Sequence, residues 1–144
     1  MSNPQDISIN DIRQAVRNTL AECFPDVPVA DGAPEAISPP YFIVQLLESG
    51  HTQELDRRYL RQYPFLIQYV DPDAGNEERY DVADHLSDAL QWIEAAGRPV
   101  RGTGMRFRIE NDVLLFSVEY RIRVWKPAPN DPMLQTLVSK EGLK

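Results

Sequence analysis

Residues Met105 to Lys126, MRFRIENDVLLFSVEYRIRVWK, alternate apolar and polar side chains on either side of a break at Asn111-Asp112. Met105, Phe107 and Ile109 interleave with Arg106, Arg108 and Glu110; beyond the break Leu114, Phe116, Val118, Tyr120, Ile122 and Val124 interleave with mostly polar residues. A period of two carried by aromatic and β-branched residues predicts two antiparallel strands with one buried face. The arms are unequal, with about six residues before the turn and about fourteen after it, so the second arm spans roughly 45 Å. Its far half has to pair with something other than its hairpin partner, either another strand of the same sheet or a second molecule.

The preceding chain supplies candidates. Ser8 with Asp11 forms a capping pattern, and Ile9, Ile12, Val16, Leu20 and Cys23 follow at helical spacing, predicting a helix from Ile9 to Cys23 that Pro25 stops. Val27-Pro28-Val29 reads as a short edge strand. Tyr41 to Glu48, YFIVQLLE, is apolar on both faces and predicts a central or doubly covered strand. Ser49 to Asp56 reads as a turn. Arg57 to Val70 returns as a strand in which Pro64 marks a bulge, a break or an edge position, while its first residues, Arg57, Arg58, Tyr59 and Arg61, are expected to project from the body.

Asn76 is placed to cap a second helix, with Glu77 and Glu78 in its first turn, where negative charge suits the dipole. Val82, Ala83, Leu86, Ala89, Leu90 and Ile93 form its apolar stripe, and Gly97 and Pro99 its end. The resulting fold class is α+β: two helices packed on an antiparallel or mixed sheet of four to five strands, in the order α-β-β-α-β-β. Residues 1–126 read as one domain, and 127–144, opening on PAPNDP, as a Pro-rich linker and extended tail.

Composition narrows the function. A chain of 144 residues with one cysteine, Cys23, can bury a core without a disulfide or metal, and Cys23 reads as a core residue. No run approaches a membrane span, and Met1 to Ser8 lacks a basic or apolar leader pattern, so the protein is expected to be made and kept in the cell's interior. A net charge of −7 argues against specific nucleic-acid binding. That charge is uneven: Asp71 to Glu94 holds eight acids and one arginine, whereas Arg98 to Lys126 holds seven bases and three acids. An acidic helix face with Asp81, Asp84 and Asp88, and a basic hairpin face with Arg106, Arg108, Arg121 and Arg123, would be complementary between copies joined head to tail.

Catalytic patterns are missing. His51 and His85 stand without a second histidine or cysteine at ligand spacing, so no metal or other cofactor is expected. Arg101-Gly102-Thr103-Gly104 precedes a strand rather than a helix, which makes it a bend and not a phosphate loop. His85 with its acidic neighbours is the single candidate for a small ligand-binding or enzymatic domain.

Specific motifs point further. R-Y-x-R-x-x-P-F (Arg58, Tyr59, Arg61, Pro64, Phe65), E-x-Y-D-V-A ending at Ala83 and R-G-T-x-M-R (Arg101 to Arg106), with PYFIV at Pro40 to Val44, resemble the small tail terminator proteins of tailed phages and prophages of Gram-positive bacteria. The resemblance runs in order over roughly residues 5 to 135, although Asn111-Asp112 stands where family members often carry Asp-Gly. It implies a non-enzymatic virion structural protein with an α+β fold, lying at the tail end next to the neck. It further implies a ring, usually hexameric, that caps the tail tube, stops its polymerisation and meets the head connector or neck protein, and in contractile tails the sheath. Genome DNA would pass through such a ring. A head-tail joining or neck protein is the alternative within the same class.

Overall fold

The computed structural model describes residues 7–31, 37–54 and 58–125. The first helix, α1 (Ile9–Cys23), starts on the expected reciprocal cap: the Asp11 N–H donates to Ser8 Oγ at 3.1 Å and the Ser8 N–H to Asp11 Oδ2 at 2.9 Å. Ile12, Val16 and Leu20 are buried, whereas Cys23 is half-buried at the rim instead of in the core. The chain then forms β1 (Val29–Asp31), slightly later than the Pro-containing segment suggested, and pairs it in parallel with β2 (Tyr41–Leu46).

β2 is central in the sheet yet covered on one face alone, with Phe42 and Val44 buried and Gln45 exposed. The turn expected at Ser49 to Asp56 contains a short strand, β3 (Gly50–Gln53), which pairs with the beginning of β4 (Arg58–Val70). β2 pairs with the end of the same strand, from Leu46↔Phe65 to Tyr41↔Val70. Pro64 lies opposite the gap between β2 and β3, where its carbonyl accepts from the Leu47 N–H at 2.8 Å. Within a strand the N–H and C=O of one residue point to the same side, so the missing proline donor faces that gap. The proline therefore explains why the neighbouring strand is broken in two.

α2 (Asn76–Ala89) begins one residue away from the expected cap. Gly75 is the N-cap and has no side chain to give a capping bond, while the Asn76 carboxamide, one position on, accepts from Arg79 Nη1 at 2.9 Å. The helix also ends earlier than its apolar stripe. Ile93 belongs to β5 (Trp92–Ala95), which turns through Ala96 and Gly97, both at positive φ, into β6 (Arg98–Glu110). Such a two-residue hairpin turn requires left-handed backbone, and Ile93 satisfies the helical and the alternating pattern alike. β6 and β7 (Val113–Trp125) are joined through Asn111 and Asp112, again both at positive φ, as the hairpin predicts.

These strands form a seven-stranded mixed sheet in the order β1-β2-β4-β7-β6-β5, with β3 beside β4, which corrects the expected four to five strands, and the element order is α-β-β-β-β-α-β-β-β in place of α-β-β-α-β-β. β4 and β7 pair over their whole length, from Arg58↔Trp125 to Val70↔Val113, so the long second arm of the hairpin is covered within the molecule on this side. α1 touches both β1 and β5, from opposite ends of the strand order, so the sheet curls around the helices. Tyr63, Phe65, Ile67 and Tyr69 of β4 face the helices beside Leu114, Phe116, Val118 and Tyr120 of β7, and all eight are buried. Fully burying one such side chain stabilises the fold by about 1.5–3 kcal/mol.

Gly102 occupies the tightest point of this core. Its N–H donates to the Gln91 carbonyl at 2.7 Å, and a Cβ there would lie 2.5 Å from the Leu90 carbonyl oxygen. The same oxygen accepts from Tyr120 Oη at 2.7 Å, and burial pushes the Tyr120 phenol pKa well up. β6 next bulges between Thr103 and Arg106, with Gly104 at positive φ. The R-G-T-x-M-R motif is thus a structural joint inside a strand. Gly102→Ala is expected to cost about 1–3 kcal/mol through overpacking, seen as a lower urea midpoint at unchanged m-value; a midpoint equal to that of the parent would refute the close approach.

Candidate subunit and tube interface

The open face of the sheet is built by the alternate residues of the same strands. Leu115, Ser117, Glu119, Arg121 and Arg123 of β7 lie on it, next to Arg106 and Arg108 of β6 and Leu66 and Gln68 of β4. The four hairpin arginines do share one face, but in two groups, near the turn and at the far end of β7. Eight residues separate the row of Arg108 (opposite Leu115) from Arg123, which is roughly 27 Å of strand. Three of the four have a carboxylate beside them: Arg108 Nε–Glu110 Oε2 at 2.9 Å, Arg121 Nε–Glu119 Oε2 at 2.6 Å and Arg123 Nε–Glu54 Oε1 at 3.1 Å. Arg106 has no such partner among the described residues. Exposed pairs of this kind add about 0–1 kcal/mol each, so their main effect is to make the face less positive than the arginine count implies.

Arg58, Tyr59 and Arg61 do not form a free arm. They open β4 between β3 and β7, in a three-stranded ribbon made of β3, the start of β4 and the end of β7. Arg61 points to the same side as Tyr63, half-buried, with its Nε lacking a hydrogen-bond partner. Arg57 and the segment 126–144 lie outside the described residues.

Asp81, Asp84 and Asp88 are exposed on one side of α2 and make no ion pair among the described residues. His85, between them, rests its ring on Phe24 at 4.7 Å between centroids, and no cluster of metal-ligating side chains occurs among the described residues.

Several surface features escaped the pattern reading. Arg79 is 3% exposed: its Nη2 donates to the Asp71 carbonyl at 3.1 Å, its Nη1 to Asn76, and Asp112 of the hairpin turn stands 3.8 Å away. It thus ties the start of the acidic helix to both sheet turns. Nothing in the helical pattern separates Arg79 from a solvated residue. Arg98 and Arg101 join Arg121 and Arg123 around a cleft of about 370 Å³. Tyr80 and Phe107 form an edge-to-face pair at 6.0 Å that remains about half exposed, and Trp92 is 55% exposed.

A family model described as phage tail terminator protein matches residues 11–132. The chain belongs to this family. The tail terminator also resembles a chain of the virion of a native gene transfer agent particle, at a TM-score of 0.56 and 16% identity over 80% of this chain and 95% of the other. A second solved protein matches at a TM-score of 0.50 and 18% identity, over 87% of the tail terminator and 100% of its own length. Both likenesses concern the fold. No curated protein matches the chain. The family places the tail terminator among virion components and accounts for a molecule organised around surfaces.

The joint that carries the acidic helix contains a titratable phenol, Tyr69. Burial, followed by the charge of Asp71, raises the Tyr69 pKa to about 12, and its hydroxyl donates to Asp71 Oδ2 at 3.3 Å. A phenol with a raised folded-state pKa stabilises the fold fully below its unfolded value of about 10, and that stabilisation is lost as pH climbs towards about 12. Chemical denaturation should therefore show stability falling over this window, and Tyr69→Phe should flatten the fall; an unchanged slope would contradict the assignment.

Proposed function

We propose that this tail terminator works as a closed head-to-tail ring, of the hexameric kind common in its family. The ring seats on the last ring of tail-tube subunits, stops their polymerisation and offers its other surface to the head connector or neck protein; in a contractile tail it also meets the sheath. Family membership over residues 11–132 carries the reading, and the separation of charge supports it. A ring made by rotation needs two different, complementary surfaces on each subunit. The exposed carboxylates of Asp81, Asp84 and Asp88 supply one, and Arg106 with Arg108 on the open sheet face supply the other. Complementary charge of this sort guides encounter and fixes register more than it adds affinity.

On this reading the protein acts without catalysis or cofactor, at the tail end next to the neck, and the genome crosses the ring without sequence-specific contact. Arg58, Tyr59 and Arg61 in the ribbon, together with residues 127–144, are its points of contact with tube or sheath.

Mass measurement of the purified protein and of tail-bound protein should find a ring in at least one of the two; a strict monomer in both would overturn the proposal. Asp81→Asn, Asp84→Asn and Asp88→Asn combined should slow association at low salt by on the order of tenfold, with little change at high salt. Phage lacking the protein should accumulate overlong polytails, whereas free tails of normal length would indicate a joining role instead. Removal of 127–144 should impair tail joining while leaving the domain folded.

A further inference from the structure

The ribbon formed by β3, the start of β4 and the end of β7 has two open edges. β6 pairs with β7 only as far as Gly102↔Tyr120 and then departs to pair with β5. Residues 121–125 of β7 are consequently paired with β4 on one side, and among the described residues no strand occupies the other. β3 is likewise paired with β4 on one side alone. An edge of this type presents unpaired N–H and C=O groups and is a template for another strand.

Three properties make the two edges fit each other. Their lengths match, with four residues in β3 and the five residues 121–125 in β7. Their directions match too, since β3 and β7 are each antiparallel to β4 and so run parallel to one another on opposite sides of the ribbon. A rotation about an axis along the strands can therefore set β3 of one copy beside β7 of the next with every copy equivalent, which is the geometry of a cyclic assembly. Charge agrees in part: of the arginines lining the cleft along the β7 edge, Arg121 and Arg123 pair with Glu119 and Glu54 of the same copy, but Arg101 has no carboxylate partner among the described residues, and Glu48 beside β3 is exposed and likewise without an ion pair among them.

We infer that the β3 edge of one copy adds in parallel to the β7 edge of the next, so that the ribbons join into one continuous sheet around the ring. The inference rests on the ring proposed above and identifies its main-chain seam. Glu48 enters the arginine-lined cleft of the neighbour, and the α2 carboxylates with Arg106 and Arg108 form a separate part of the same subunit contact.

Cysteine cross-linking in the full chain tests it. Thr52 and Arg121 are both exposed, and neighbouring parallel strands lie about 4.8 Å apart, within reach of a disulfide. In a Cys23→Ala background, the double variant Thr52→Cys with Arg121→Cys should oxidise to a ladder of covalent oligomers, as should Thr52→Cys with Arg123→Cys if the register is shifted by one row. Each single variant should remain monomeric on a denaturing gel, and a mixture of two complementary single variants should yield dimers. A covalent dimer from Arg121→Cys alone would mean a two-fold contact and overturn the inference. An absence of cross-links in particles that weigh as rings would overturn the seam while leaving the ring intact. A monomer by mass would remove both.

Discussion

The pairing of β4 with β7 is the constraint on which the remainder of the molecule depends. These thirteen-residue strands pair from end to end, and from Tyr63 to Tyr69 and from Leu114 to Tyr120 their helix-facing residues form a row of buried aromatic and branched side chains. Every other element is added to that pair: β2 and β3 along the outer edge of β4, β6 and then β5 beyond β7, and both helices on the buried face. Burial on one face forces the register, since a slip by one residue would turn the whole row to solvent.

Two residues interrupt this regularity, each for a physical reason. Pro64 has no N–H to give, so the strand beside β4 breaks into β2 and β3. Gly102 lets β6 pass within contact of the Leu90 carbonyl at the end of its shared ladder with β7, and the bulge shifts the register of that ladder between Thr103 and Arg106. Both interruptions fall near the middle of the β4–β7 pair, in the rows of Glu119 and Tyr120. Past them stand the three-stranded ribbon and the arginine-lined cleft.

Charge is distributed in the same economical way. Arg79, the single buried arginine among the described residues, holds the acidic helix to turns of the sheet, and the carboxylates at Asp81, Asp84 and Asp88 are presented on that helix. On the open face most arginines have a local carboxylate, which leaves Arg106 as the position there where positive charge is least compensated. A tail terminator that must recognise its neighbours needs rigid, distinct surfaces more than it needs a pocket.

Periodicity sufficed for the two helices, the long hairpin with its Asn111-Asp112 turn and the β4 mate of β7, because each is governed by local spacing and by which face must be buried. The motifs sufficed for the family. Folding was needed to reveal β3 and β5, since a short exposed strand such as Gly50–Gln53 has no burial pattern and Ile93 suits a helix and a strand equally well. The end of β7 was legible as a surplus of strand, but its two sides were not. β4 takes one of them and the departure of β6 opens the other, and both outcomes depend on contacts between residues far apart in the chain.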